Sequence, residues 1–318
     1  MSKVRTRNWI LRSFAAIGGA YIISIIMHDF VNYIPVNNMI QDLGFGLINA
    51  FLSPIFAYGL VIIFEFAFDM TTDMTLLELS DLNQPLLRQL AIQAPGTYHH
   101  SILVGTLAEA ATEAIGGNAL LARVGAYYHD IGKMEKPEYF VENQTKGRNP
   151  QEKLSPTMSS LILSNHVKKG IEMARQYNLP REIEDFIHQH HGTTLMSYFY
   201  QKALEKSSEE QISKDEFRYP GPKPNSRETA IVMCADAVEA ASRTLKDPSP
   251  SRIKGLVEQI IDERFKSSEL DDSPLTLKDL SKISDAFFKI LNGVFHSRIE
   301  YPSEQKKETA KKEVKINK

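Results

Sequence analysis

The sequence predicts an all-α protein, a helical bundle preceded by an N-terminal hairpin of two transmembrane helices. Three observations carry that class. Apolar residues between about 71 and 300 recur at helical spacing, Gly and Pro breakers separate the periodic segments, and no stretch alternates as a strand would. With 318 residues, 42% of them hydrophobic, the chain has ample material for a core.

The first elements are apolar runs at residues 13–27 and 45–64, the second close to the ~20 uncharged residues that a bilayer span requires. Trp9, Ile10 and Leu11 lengthen the first if Arg12 snorkels to the interface. His28, Asp29 and Phe30 follow it where a signal peptide would need small residues, so an anchor is expected. Lys3, Arg5, Arg7 and Arg12 precede the first run, whereas residues 28–42 hold no Lys or Arg. The positive-inside rule then puts the N-terminus and everything after residue 69 in the cytoplasm of a multi-pass cell-membrane protein, with membrane lipid as a partner. The expected domains are a membrane anchor over 1–70, a cytoplasmic catalytic domain over 71–301, and a lysine-rich, disordered tail over 302–318 with six lysines against three glutamates.

Beyond the anchor, Leu76, Leu77, Leu79, Leu82, Leu86 and Leu87 read as one connecting helix that could pair with its twin in a homodimer. The breakers that follow are Pro95-Gly96, Gly116-Gly117, Gly132, Pro180, Gly192, Pro220 to Pro222, Pro248 and Pro250. Net charge is −2, so no overall basic field recruits a nucleic acid polymer. The lone Cys234 lies among apolar neighbours, which excludes an internal disulfide and suits a buried small hydrophobe in a reducing compartment.

Seven of the nine histidines fall between His99 and His191, in clusters spaced like successive helices. His100 follows the Pro95-Gly96-Thr97 turn, with Thr97 as a candidate cap and open backbone N–H groups nearby, and shares a face with Leu103, Leu107, Ala111 and Ala114. His129-Asp130 ends the next helical pattern, with Gly132 as its stop. A terminal position lets both side chains converge on one centre, and the two oxygens of Asp130 can bridge two cations ~3.5–4 Å apart. His166 shares a stripe with Ile162, Gly170 and Met173, His190-His191 ends the helix that opens near Arg181, and Asp236 is an acid on an apolar helix.

Five imidazoles and two carboxylates suit two divalent metal ions, Fe, Mn or Zn in preference to Mg or Ca. One ion is expected on His100, His129, Asp130 and Asp236, the other on Asp130, His166, His190 and His191. His129, Asp130 and Lys133 are the candidate catalytic residues, and Lys133, Thr193 and Thr194 the candidate donors to a substrate phosphate. His99 is expected in packing or outer-shell contacts and His188 in solvent. Glu239 and Arg243 follow Asp236 by about one and two turns, and either line the cleft or pair with each other.

These residues resemble the HD-domain phosphohydrolases, and within them the membrane-bound cyclic di-AMP phosphodiesterases of the PgpH type, the seven-transmembrane-receptor HD family. The resemblance runs from about Thr75 to Tyr301 and rests on five ordered blocks at residues 95–101, 120–133, 140–144, 190–194 and 219–224. It implies an HD-domain helical bundle, the same seven ligands, a di-iron or di-manganese centre, and hydrolysis of cyclic di-AMP to pApA. Family members usually carry a large extracytoplasmic domain and further membrane helices ahead of the HD domain, and this sequence departs from them in showing two candidate helices.

Three rival readings remain. A cyclic di-GMP phosphodiesterase of the HD-GYP group lacks its Gly-Tyr-Pro signature here, because Met134-Glu135-Lys136-Pro137 stands in its place. The others are a further nucleotide phosphohydrolase and a membrane-tethered binding module with a structural metal. No residue by itself explains a preference for adenine.

Overall fold

The computed structural model describes residues 7–68, 70–144, 149–206 and 212–296. Among these residues every regular element is helical, and one isolated antiparallel bridge joins Leu195 to Arg218. The lysine-rich tail, and Lys3 and Arg5 of the basic N-terminus, lie outside the described residues. The chain divides into two compact units, the first ending at Glu78 and the second beginning at Leu79, so the composition change near residue 70 falls inside the first.

In the first unit α1 (Arg7–Val31) and α2 (Val36–Phe68) form an antiparallel hairpin. Gly18 lies opposite Ala50, Asn49 donates to the Tyr21 hydroxyl at 3.2 Å, and Gly46 faces Ile25. Each helix holds a stretch long and apolar enough to cross a membrane, Phe14–Val31 and Val36–Glu65. Both exceed the apolar runs at 13–27 and 45–64, and in the second the helix continues through the more polar residues 36–44.

The single connecting helix expected over 76–87 is two: α3 (Asp73–Leu79) and, in the second unit, α4 (Pro85–Gln93). Pro85 forces Gln84 to an extended ψ of 137°, and Asp81 accepts from the Asn83 backbone in a turn that leaves Leu82 exposed. The rest of the second unit comprises α5 (Pro95–Ile115), α6 (Ala119–Tyr128), four short 3-10 turns between Ile131 and Lys153, α7 (Pro156–Gln176), α8 (Arg181–Gln189), α9 (Ser197–Lys206), a 3-10 turn at Lys214–Phe217, α10 (Arg227–Ser242), α11 (Pro250–Lys266) and α12 (Leu277–His296).

The core gathers Val104, Leu107 and Ala111 of α5, Ala122 and Ala126 of α6, Phe186 of α8, the run from Ala230 to Ala235 of α10, and Ile283, Phe287 and Leu291 of α12. The buried stripe of α5 runs through His100, Val104, Leu107, Ala108 and Ala111, so Leu103 is only half-buried and Ala114 is exposed. A capping box of Ser226 and Thr229 starts α10, which is then buried almost all round. Its central place is what carries Asp236 to the interior. Cys234, on the same helix, is buried, and burial pushes its thiol up to about 12, consistent with an inert small hydrophobe.

Candidate metal centre

Five segments deliver the candidate ligands from the ends or inner faces of helices. His129 and His190 are the C-cap residues of α6 and α8, still in helical conformation, while Asp130 turns out of the helix at φ −111°, ψ 14°. This departure lets the vicinal pair face one point. Gly132 does not stop the helix. A Cβ there would lie 1.9 Å from the His166 carbonyl oxygen and 2.5 Å from the Gly170 nitrogen, so its bare backbone seats the turn Ile131–Glu135 directly on α7. Asp130 and His166 flank that contact.

The imidazole tautomers follow from one local rule. His129, His166 and His190 each donate Nδ1–H to the carbonyl three residues back, of Ala126 (2.7 Å), Leu163 and Ile187 (2.9 Å). His100 Nδ1 donates instead to Glu239 Oε2 at 2.5 Å. All four Nε2 lone pairs are therefore turned the same way. Asp130 stands where they converge: Oδ2 is 3.2 Å from His129 Nε2 and 3.6 Å from His100 Nε2, while Oδ1 is 3.3 Å from His166 Nε2 and 3.5 Å from His190 Nε2. Asp236 closes the other side, with Oδ1 3.0 Å from His100 Nε2 and Oδ2 3.6 Å from His191 Nδ1.

Two lone-pair nitrogens, those of His166 and His190, face each other at 3.2 Å, a contact that needs a cation or proton between them. His100 Nε2, His129 Nε2 and both Asp130 oxygens are buried without a hydrogen bond of proper geometry, although the Lys133 ammonium pairs with Oδ2 at 2.7 Å. Orphaned donors of this kind, buried and convergent, fit a metal. They fall into two groups that share one carboxylate: His100, His129 and Asp130, and Asp130, His166, His190 and His191.

Electrostatics agree with that reading. Burial pushes the His190 imidazole down to about 4 and, together with His190, holds His191 well below its ordinary value, so both stay neutral as ligands must. Burial would also depress His100, but the Asp236 and Glu239 carboxylates on its two nitrogens hold it up to about 10, a proton standing where a metal could bind. Against a burial that would raise both carboxyls, His129 and Lys133 keep Asp130 well below the carboxylate range, and His100 does the same for Asp236.

The expected phosphate donors are placed differently from one another. Lys133 lies between Asp130 and Glu142 Oε1 (2.9 Å) and lines a cleft with His100 and Asp236. Thr193 gives both its backbone N–H and its hydroxyl to Glu269, and the Thr194 hydroxyl accepts from Arg264 at 3.3 Å. These two residues brace the turn after His191, where Gly192 adopts φ 53° beside Glu269. Nor does Thr97 cap α5 or leave open amides: its N–H donates to Asn143 Oδ1 and its hydroxyl to Glu142, and His100 sits in the second turn. His99 and His188 are exposed, with His99 edge-on to Tyr98.

Glu239 pairs with Arg243 and lines the cleft as its spacing suggests, but its bond to His100, and the roles of Tyr219 and Glu142, escaped the sequence reading. Tyr219 stacks on His191 with ring centroids 4.0 Å apart, Glu142 holds Lys133, and Glu239 holds both His100 and Arg243. Helical spacing from Asp236 was the available signal for Glu239, but spacing could not say whether it met a ligand. Glu239→Gln is expected to weaken metal affinity roughly 10–100-fold, as loss of an outer-shell carboxylate does. Titration of the metal-free protein with Mn measures this, and an unchanged affinity would show that Glu239 does not orient His100.

A family model described as HD domain matches residues 97–241, and one described as 7TM receptor with intracellular HD hydrolase matches residues 1–72. The chain is 49% identical over 262 residues to cyclic-di-AMP phosphodiesterase PgpH of Bacillus subtilis (strain 168), covering 82% of this chain and 37% of that protein. It is 38% identical over 311 residues to the protein of the same name from Listeria monocytogenes serotype 1/2a (strain 10403S), covering 96% and 43%. The crystal structure of the L. monocytogenes phosphodiesterase PgpH HD domain in complex with cyclic-di-AMP is similar at a TM-score of 0.65 and 43% identity, over 69% of this chain and 100% of that one. The chain thus spans less than half the length of the curated relatives.

Proposed function

Because the chain belongs to the PgpH family of HD-domain phosphodiesterases, we propose that it hydrolyses cyclic di-AMP to linear pApA at a dimetal centre and so lowers the level of that second messenger. The observation that carries this reading is the convergence of four Nε2 lone pairs on the two oxygens of Asp130. His100, His129, Asp130 and Asp236 would hold one ion, and Asp130, His166, His190 and His191 the other. Two divalent cations there, Mn or Fe from the donor set, would supply an acidified water and neutralise charge developing on the phosphoryl oxygens.

The chain's own residues do the rest. Asp130 keeps both halves of the centre in register, and Glu239 and the three backbone carbonyls keep the imidazoles deprotonated on the inner nitrogen. Lys133, held between Asp130 and Glu142, offers its ammonium to a phosphate oxygen in the cleft. Thr193 and Thr194 act through the turn they brace, since Glu269 takes both Thr193 donors. The absence of Lys and Arg from residues 28–42 supports a multi-pass anchor with the HD domain in the cytoplasm.

The test is turnover of cyclic di-AMP against cyclic di-GMP by the full chain, solubilised and loaded anaerobically with Mn or Fe(II). Formation of pApA from the adenine dinucleotide is expected. Hydrolysis of the guanine dinucleotide alone would move the chain to the rival specificity, and silence toward both at full metal content would make it a binding module.

A further inference from the structure

The cleft that opens from the centre has a volume of about 460 Å3 and is lined by His100, Lys133, Glu142, Asp236, Glu239 and Arg243, among others. Such a volume is within the ~300–1,000 Å3 of small-molecule sites. Its polar lining contains one group that the chemistry at the metals leaves unused. Arg243, at the C-terminus of α10, gives Nε and Nη2 to a single oxygen of Glu239 at 2.7 and 2.6 Å. The other Glu239 oxygen holds His100, and Glu239 is 1% exposed, whereas the Arg243 side chain is 41% exposed. Nη1 has no partner among the described residues.

The bond to His100 accounts for the buried Glu239 carboxylate, whereas an i, i+4 pair on a helix surface adds little stability, so stability alone does not explain why Arg243 is held. What the arrangement does achieve is a guanidinium fixed in orientation, with free donors directed away from its anchor. A planar fork held this way loses little further freedom when it meets an anion. A cyclic dinucleotide carries two phosphodiesters on one ring. When one is at the metals, the ring keeps the other nearby, and the cleft offers Arg243 as a cation beyond Lys133.

We propose that Arg243 binds the second, non-reacting phosphodiester, with Glu239 as its positioning residue, so that the cleft selects substrates carrying two phosphodiesters over those carrying one. The inference rests on the cyclic dinucleotide reading above.

The experiment compares the full chain, solubilised and Mn-loaded, with its Arg243→Ala and Arg243→Lys variants on cyclic di-AMP and on bis(p-nitrophenyl) phosphate, which has a single diester. Arg243→Ala is expected to raise KM for cyclic di-AMP roughly ten- to hundred-fold, the worth of a charge-assisted hydrogen bond. The ratio of kcat/KM for the dinucleotide to that for the single diester falls by the same factor, and Mn content stays at the wild-type level. Arg243→Lys recovers part of the ratio, because it keeps the charge but loses the fork. Equal losses on both substrates, or lost Mn, would make Arg243 a structural prop for His100 and overturn the proposal, as would an unchanged KM. A wild-type protein that cleaves the single diester but not cyclic di-AMP would overturn the activity reading, and this inference with it.

Discussion

Asp130→Ala is expected to lower cyclic di-AMP turnover by roughly a thousand-fold or more, well beyond the ~10–100-fold that a lost outer-shell partner costs. Each oxygen of this carboxylate faces a different pair of imidazoles, so its removal uncouples both halves of the centre at once. Bound Mn per chain should fall from two to one or none by elemental analysis. Helicity should persist, because Asp130 contributes little to the apolar core and Lys133 keeps Glu142 as a partner. Turnover within ten-fold of wild type, at undiminished Mn, would refute the shared-carboxylate assignment.

Gly132→Ala should be nearly as damaging, by another route. The added Cβ meets the backbone of His166 and Gly170, atoms that no rotamer change can remove. The turn Ile131–Glu135 must then lift off α7, at a cost of about 1–3 kcal/mol or more in stability. A shift near 1 Å between Asp130 and His166 would reduce turnover by roughly a hundred-fold. Gly170→Ala is the comparison. Its nearest obstacle is a side-chain methyl, Ile187 Cγ2, and its nearest backbone atom is 3.5 Å away, so it should cost less in both urea midpoint and kcat. Equal behaviour of the two variants would mean that the interlock at Gly132 does not set the distance between Asp130 and His166.

Much of the candidate site was legible because its signals are local. A vicinal His-Asp or His-His at a helix end, a charged residue on an apolar helix, and an apolar run of bilayer length are all properties of a few neighbouring residues. Even the tautomers have a local cause, since three of the four carbonyl or carboxylate partners lie three residues upstream on the same chain segment. The errors arose where one residue's environment decides. Pro85 and the Asp81 turn split a segment whose periodicity fits a single helix, and Asn143, 46 residues beyond Thr97, caps α5 in its place.

By itself, then, the sequence determined the helical class, the two long apolar helices, and seven candidate metal ligands, because periodicity, length and donor chemistry are carried by each segment alone. Only the tertiary structure decided how those donors are used. That His100 and Arg243 share Glu239, that Lys133 is pinned by Glu142, and that Glu269 withdraws Thr193 from the cleft all join residues of different segments, or faces whose neighbours packing chooses. A side chain's chemistry is fixed by its type, but its partner is set by which helices the core brings together.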